Sequence, residues 1–287
     1  MPGVYTCGIT DIAKLNESVF SISVSCPDIA DTARAGQFVN VKCGEGRLLR
    51  RPLSICQING DRVKLVFDTK GEGTKWLSRR APGQSLDILG PLGNGFPMPP
   101  NLPRHQSLSA GAKTLPSDPP QHPPLSEIDK AFPVGKIIVA GGGIGSPPML
   151  FAAESYAGTV TALLGFRDIR KIILKKEFES ACDKVYIATD DGSYGIHGTV
   201  AAPLEELLEN STYDAVLACG PRAMLSAVAG ICKQRETLCL VALEERMGCG
   251  IGACVVCACA TIKDGVESMS RVCKDGPVFD AQEVVWN

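Results

Sequence analysis

The chain has 287 residues and a net charge of −2, and 45% of its residues are hydrophobic and 21% charged. This length suggests two domains with room for a small third, and the composition is that of an ordinary globular protein. The near-neutral charge argues against nucleic acid or acidic lipid as a partner, and no apolar run reaches the roughly 20 residues of a membrane span.

Cysteine is abundant, with 13 residues in the chain. An odd count in a long chain differs from a secreted disulfide scaffold, which is normally short and has an even count. The N-terminus also lacks the charged start and apolar stretch of a signal peptide. We therefore expect a cytoplasmic protein whose scattered cysteines are free thiols, packed as small hydrophobic side chains.

Residues 1–96 are expected to form a domain of short strands. The clearest runs of β-branched and aromatic residues lie at 19–24, 37–41 and 63–67. Asn59-Gly60 is a hairpin signal, and a short helix is predicted near 74–80. Regularly spaced short strands of this kind indicate a small barrel or sandwich.

The next stretch, 97–134, holds a large share of the 20 prolines and few apolar residues. It is predicted to be a linker or surface insertion without regular structure, dividing the chain.

Residues 135–240 alternate between buried strands and helices. Strands are predicted at 136–140, 159–165, 185–189 and 215–219, and helices at 147–156, 169–179, 200–210 and 221–234. Alternation at this spacing is typical of βαβ units and a parallel sheet.

Residues 241–287 form a separate segment rich in cysteine and glycine. Its sulfurs at Cys249, Cys254, Cys257 and Cys273 have the spacing C-x4-C-x2-C…C, which is typical of a plant-type [2Fe–2S] cluster. A zinc site is the alternative, but it more often uses two separated C-x2-C pairs. Cys259 is expected to be a packing residue.

Other motifs have weaker signals. Arg51-Pro52-Leu53-Ser54 combines a guanidinium, which pairs well with phosphate, with a hydroxyl. A glycine-rich turn at 70–74 precedes the predicted short helix and could hold an anion. The glycines at 141–145, Asp190-Asp191-Gly192-Ser193 and Cys219-Gly220-Pro221 follow predicted strands, where open α/β sheets bind ligands. Each of these could also be an ordinary turn.

Taken in order, these motifs resemble the ferredoxin reductase-like superfamily. More narrowly, they are similar to the electron-transfer subunits of type B dihydroorotate dehydrogenases. The segments that carry the resemblance are 51–54, 71–74, 90–95, 140–145, 191–195, 219–221 and the C-terminal cysteines. The resemblance covers nearly the whole chain, although the insertion at 97–134 is longer than the family usually has.

The resemblance implies three cofactor sites. An N-terminal antiparallel β-barrel would bind FAD through Arg51, Pro52, Leu53, Ser54, Val66, Phe67, Asp68, Gly73 and Thr74. A central parallel α/β domain would receive NAD near Gly142, Gly143 and Cys219. A small C-terminal domain would hold the [2Fe–2S] cluster through Cys249, Cys254, Cys257 and Cys273.

It also implies a partner and a direction of electron flow. An FMN-containing dihydroorotate dehydrogenase catalytic subunit would oxidise dihydroorotate, in a heterotetramer with two copies of each chain. Electrons would then pass through the cluster and FAD to NAD+, as a step of pyrimidine biosynthesis, and no catalytic acid or base is expected in this chain.

Two other functions remain open. The small subunits of ferredoxin–NADP reductases, also called sulfide dehydrogenases, resemble this chain as well. Their cluster loop replaces one cysteine with an acidic residue, whereas all four positions are cysteine here, and Arg167 or Arg170 could contact the 2′-phosphate of NADP. A zinc-stapled binding module is the third hypothesis.

Overall fold

The computed structural model describes residues 2–98, 132, 134–263 and 265–286. The predicted Pro-rich linker at 97–134 lies almost entirely outside the described residues. No helix of the described part is both long and apolar enough to cross a membrane.

The N-terminal strands close into an antiparallel barrel with the order β1-β2-β5-β4-β3-β6. They are β1 (Gly3–Lys14), β2 (Val19–Ser25), β3 (Phe38–Val41), β4 (Arg51–Asn59), β5 (Arg62–Asp68) and β6 (Ser85–Leu92). The barrel interior is apolar, with Ile22, Ile55 and Leu65 fully buried. The three predicted strands are confirmed as β2, β3 and β5, and the predicted hairpin joins β4 to β5. Closure removes the sheet edges that a sandwich would leave.

Two short helices accompany the barrel, α1 (Pro27–Ala30) and α2 (Glu72–Leu77). Helix α2 begins slightly earlier than predicted because the cap is Gly71, whose backbone N–H bonds the Thr74 hydroxyl.

The second half of the chain contains a mixed sheet with the order β10-β9-β8-β7-β11-β12-β15. Its strands are β7 (Lys136–Gly142), β8 (Thr159–Phe166), β9 (Lys184–Thr189), β10 (Ile196–His197), β11 (Ala215–Cys219), β12 (Leu238–Ala242) and β15 (Val278–Asp280). All neighbours are parallel except β15, which is antiparallel to β12. The helices are α3 (Ser146–Ser155), α4 (Lys175–Ala181), α5 (Ala201–Asn210) and α6 (Arg222–Gln234). The predicted parallel sheet is confirmed.

The predicted helix at 169–179 is confirmed only in its second half, which lies in α4, and is wrong in its first half. A single 3-10 turn at Ile169–Lys171 is followed by an extended Ile172, and Leu174 adopts φ +58° before α4 begins. The β-branched pair Ile172-Ile173 disfavours a helix, and burial of Ile173 and Leu174 keeps this break in place.

The cysteine-rich segment starts and ends in the mixed sheet. The predicted boundary at 240 falls within β12, and β15 returns to pair with β12 after the cysteines. Between them lies a two-stranded hairpin of β13 (Ala258–Lys263) and β14 (Val266–Arg271). The cysteine segment is therefore covalently and structurally continuous with the mixed sheet.

Two clusters of buried side chains hold the molecule together. One runs from the barrel interior through Leu150 of α3 to Leu164 of the sheet. The other joins the opposite face of the sheet to Phe38, Cys257 and Cys273. The barrel, the sheet and the cysteine segment thus share apolar cores, which fixes their mutual arrangement.

Candidate functional site

A cavity of about 230 Å³ opens between the barrel and the mixed sheet. The barrel contributes side chains from β3, β4, β5 and α2. The other wall comes from the start of α3, the end of β11 and the chain that follows β12. Eight residues predicted from the sequence line this cavity: Pro52, Leu53, Ser54, Val66, Phe67, Asp68, Thr74 and Cys219.

Adjacent barrel strands bring these residues together. Segment 52–54 lies at the start of β4, and segment 66–68 at the end of β5, which pairs antiparallel with β4. The start of one strand therefore lies beside the end of its neighbour. Leu53, Val66 and Phe67 are buried, so this wall of the cavity is apolar and suits a flat aromatic ring.

Arg51 lies beside the cavity, against Gly73. A Cβ added to Gly73 would come within 2.7 Å of Arg51 Nε, so the guanidinium occupies the space that a side chain would take. Arg51 Nη1 donates to the carbonyl oxygens of Leu49 at 2.9 Å and Arg50 at 3.2 Å. Among the described residues it makes no ion pair, so its charge is available for an anion, and a cofactor phosphate fits here.

The predicted glycines lie where the order of the parallel strands reverses. Strand β7 carries Gly142 at its end and β11 carries Cys219, and the two strands are hydrogen-bonded neighbours. A Cβ on Gly142 would come within 2.9 Å of Pro221 Cδ, and Gly143 has φ +53°. Both positions therefore favour glycine, and the crevice at such a reversal is where open α/β sheets bind nucleotides.

Sequence reasoning missed the far wall of the cavity. Glu244, Glu245 and Met247 line it, directly after β12. No local pattern in the sequence shows that this stretch returns to the barrel. Glu244 lines the cavity at a position that keeps an exposed surface. Desolvation by the surrounding protein raises the pKa of its carboxyl, and the charge of Lys70 only partly opposes the shift.

The four predicted ligand cysteines converge in two pairs. The thiols of Cys249 and Cys254 are within hydrogen-bonding reach of each other, and so are those of Cys257 and Cys273. The described residues contain no group of three or more His, Cys, Asp or Glu side chains placed around a single ion. Two pairs suit a two-iron cluster, in which each iron takes two cysteines. Cys259 is buried on β13.

Backbone N–H groups point at these sulfurs. Ile251, Ala253 and Cys254 donate to Cys249 Sγ at 3.3–3.4 Å, and Gly252 donates to Cys273 Sγ at 3.1 Å. Burial opposes ionisation of Cys249, but these donors outweigh it and lower its pKa to about 6. The hydrogen bonds around Cys249 therefore favour the negatively charged form of this sulfur, as iron ligation requires.

The barrel holds the cysteine loop in position. Asn40 Nδ2, on β3, donates to the Cys249 carbonyl at 3.4 Å. Asn94 Nδ2 donates to the carbonyl oxygens of Lys274 and Asp275, both at 3.2 Å. The predicted cluster ligands therefore lie against the same end of the barrel that forms the cavity.

The loops after β8 and β9 are joined by hydrogen bonds and carry both acidic and basic side chains. The Ile169 N–H donates to Ser193 Oγ at 2.9 Å, and Asp191 accepts from Ser193. Asp168 pairs with Arg170, 3.0 Å from Nε to Oδ1, and this hydrogen bond lowers the pKa of Asp168. Arg170, one of the two candidate phosphate contacts, therefore has its charge balanced within the chain.

Comparison with known proteins agrees with this geometry. Residues 244–285 match the iron–sulfur cluster binding domain of dihydroorotate dehydrogenase B. The dihydroorotate dehydrogenase B (NAD(+)) electron transfer subunit of Desulforamulus reducens is 34% identical over 293 residues, covering 100% of both chains. The protein of the same name from Geobacillus thermodenitrificans is 36% identical and covers 94% of this chain and 93% of its own.

Solved structures share the fold. An NADH-dependent reduced ferredoxin-NADP oxidoreductase superposes with a TM-score of 0.78 at 25% identity, covering 100% of this chain and 92% of that chain. A ferredoxin NADP+ reductase from Neisseria gonorrhoeae, solved with FAD and NADP, has a TM-score of 0.57 at 15% identity and covers 81% of this chain and 91% of its own. The second likeness concerns the fold alone.

Proposed function

Because this chain belongs to the family of dihydroorotate dehydrogenase B electron transfer subunits, we propose that it carries electrons from a dihydroorotate-oxidising partner to NAD+. The route is a [2Fe–2S] cluster on the four cysteines, then FAD in the cavity, then the nicotinamide. FAD is the cofactor that couples the one-electron chemistry of a cluster to the two-electron chemistry of a nicotinamide.

One observation carries this proposal: a single short segment joins the two cofactor sites. Glu244, Glu245 and Met247 line the cavity, and the first predicted cluster ligand, Cys249, follows two residues after Met247. Pro277 lines the same cavity and follows the last ligand, Cys273, by four residues. The cluster ligands and the cavity are thus neighbours, as electron transfer between their cofactors requires.

The chain's own residues would bind and orient the cofactors. Arg51 and Thr74 would hold the FAD phosphates, with Gly73 leaving room for the guanidinium. Val66 and Phe67 would support the flavin ring, and the buried walls around them would exclude water. Gly142, Gly143 and Cys219 would let the nicotinamide nucleotide approach at the reversal point of the sheet.

The partner would meet this chain at the cluster loop. Ile251, Val255 and Val256 are 55%, 57% and 56% exposed beside the cysteines. Exposed apolar side chains grouped in one loop mark a protein contact, and here the contact would shorten the path to the partner's FMN. We place two copies of each chain in the assembly, in keeping with the resemblance, and mass measurement of the purified complex tests that number.

A cytoplasmic location fits the cysteines. All 13 are free thiols in the structure, and ten of them are buried. A reducing compartment preserves such thiols.

The decisive experiment is co-expression with an FMN-dependent dihydroorotate dehydrogenase and assay of dihydroorotate-dependent NAD+ reduction. Cys257→Ser should remove iron and this activity while FAD stays bound. Cys259→Ala, a change at the neighbouring buried cysteine, should keep both. Wild-type protein without iron and flavin, or with zinc in place of iron, would refute the proposal.

The TM-score of 0.78 with a reduced ferredoxin-NADP oxidoreductase favours a second candidate, a subunit of that kind of flavoprotein. The four cysteines argue against it, as does the pairing of Arg170 with Asp168. Reduction by NADPH in preference to NADH would favour this candidate.

A further inference from the structure

Arg271 links the two halves of the cluster loop. It is the last residue of β14 and precedes the ligand Cys273 by two residues. Its Nη1 donates to the Gly252 carbonyl at 3.1 Å. Its Nε and Nη2 donate to the two carboxylate oxygens of Asp275 at 3.1 and 3.2 Å. Since a guanidinium is a rigid fork, pairing with Asp275 fixes the direction of the third donor.

The contact with Gly252 sets the orientation of one peptide group. The Gly252 carbonyl and the Ala253 N–H belong to the same planar trans peptide and point in opposite directions. With the carbonyl held by Arg271, the Ala253 N–H points at Cys249 Sγ, 3.3 Å away. Gly252 has φ +82° and no Cβ, so the backbone alone would allow this peptide to turn over.

We propose that Arg271 is a positioning residue for the cluster: it holds the Gly252–Ala253 peptide so that its N–H faces the Cys249 sulfur. The inference rests on the proposed [2Fe–2S] site. Hydrogen bonds to ligand sulfurs stabilise the reduced, more negative cluster and raise its potential. Arg271 thereby makes the cluster a better acceptor for electrons from the partner.

The test uses the purified full-length holoprotein and an EPR-monitored redox titration of the cluster. Asp275→Asn is the informative variant because two explanations predict opposite signs. If charge alone mattered, loss of the carboxylate would raise the cluster potential. If Arg271 acts by position, loosening its anchor releases the peptide and lowers the potential.

Arg271→Gln should lower the potential further, shifting the electron equilibrium away from the cluster by about tenfold, which is about 59 mV for one electron. Arg271→Lys keeps the charge but not the fork, and should resemble Arg271→Gln. Arg235→Gln is the matched control, since Arg235 has the same 33% exposure and is paired with Glu209.

The outcomes separate the two proposals. Lower potentials in Asp275→Asn and both Arg271 variants, at unchanged iron content, support the inference. A raised or unchanged potential in Asp275→Asn, or wild-type behaviour of Arg271→Lys, overturns it and leaves the cluster assignment intact. If Arg271→Gln does not assemble a cluster, the cluster potential of Asp275→Asn still decides between an effect of charge and an effect of position. Wild-type protein that holds no iron overturns both proposals.

Discussion

Replacing Arg51 with glutamine is expected to weaken FAD binding by about 10- to 100-fold. The guanidinium makes hydrogen bonds only to backbone carbonyl oxygens among the described residues, so its charge is unbalanced and directed to a cofactor phosphate. A hydrogen bond to a charged group contributes about 1.5–3 kcal/mol, and each 1.4 kcal/mol is a factor of about ten in Kd. Glutamine keeps a donor but loses the charge and the fork.

The assay is titration of flavin-free protein with FAD, followed by quenching of flavin fluorescence. Arg50→Gln is the matched control, because Arg50 is the neighbouring arginine but is paired with Asp87 at 2.7 Å. The Arg51 variant should raise the Kd while the Arg50 variant changes it little. Equal effects of the two substitutions, or an Arg51→Gln Kd within twofold of wild type, would refute the phosphate role of Arg51.

Three further predictions concern other regions. Asp168→Ala should release Arg170 and reduce the preference for NADH over NADPH by about fivefold, measured as the ratio of kcat/KM values; an unchanged ratio contradicts the masking of Arg170. Glu244→Gln should stabilise the flavin-free protein at pH 8 but not at pH 4. The pKa of the Glu244 carboxyl is higher in the folded protein than in the unfolded chain, so the wild-type protein loses folding stability as pH rises through the unfolded-state pKa and then the folded-state pKa. Chemical unfolding at both pH values checks this, and a gain confined to pH 4 contradicts it. Val255→Lys should weaken binding of the catalytic partner in a pull-down while iron content is retained, and undiminished binding would exclude this loop from the interface.

The sequence allowed much of the fold to be predicted because its patterns are local. Short alternating strands and the Asn59-Gly60 turn indicate the barrel domain, and the strand–helix alternation indicates the parallel sheet. The break at Leu174 has only a weak local signal, the β-branched pair Ile172-Ile173. It also depends on burial of Ile173 and Leu174 by distant parts of the chain, which a helical window does not contain.

The residues of the candidate site likewise fall into two groups: those that a local sequence pattern reveals and those that only the folded structure brings together. Segments such as Arg51–Ser54 combine distinctive residue types at fixed spacing, so they could be found in the sequence. Glu244 and Met247 could not, since nothing local shows that the chain after β12 passes the barrel. The contact of Arg271 with Gly252 likewise joins two loops that only the folded hairpin brings together.

The pairing of β12 with β15 has a consequence for how this protein could arise and be rebuilt. Neighbouring antiparallel strands can be joined by a tight turn, yet here the chain leaves β12, forms the cluster loop and hairpin, and returns to β15. Topologically the redox centre is an enlarged hairpin connection inserted in a flavin reductase scaffold. Replacing the segment between β12 and β15 with a short turn should yield a flavoprotein without the cluster. Grafting the same segment onto a related scaffold should give that scaffold a site for one-electron transfer.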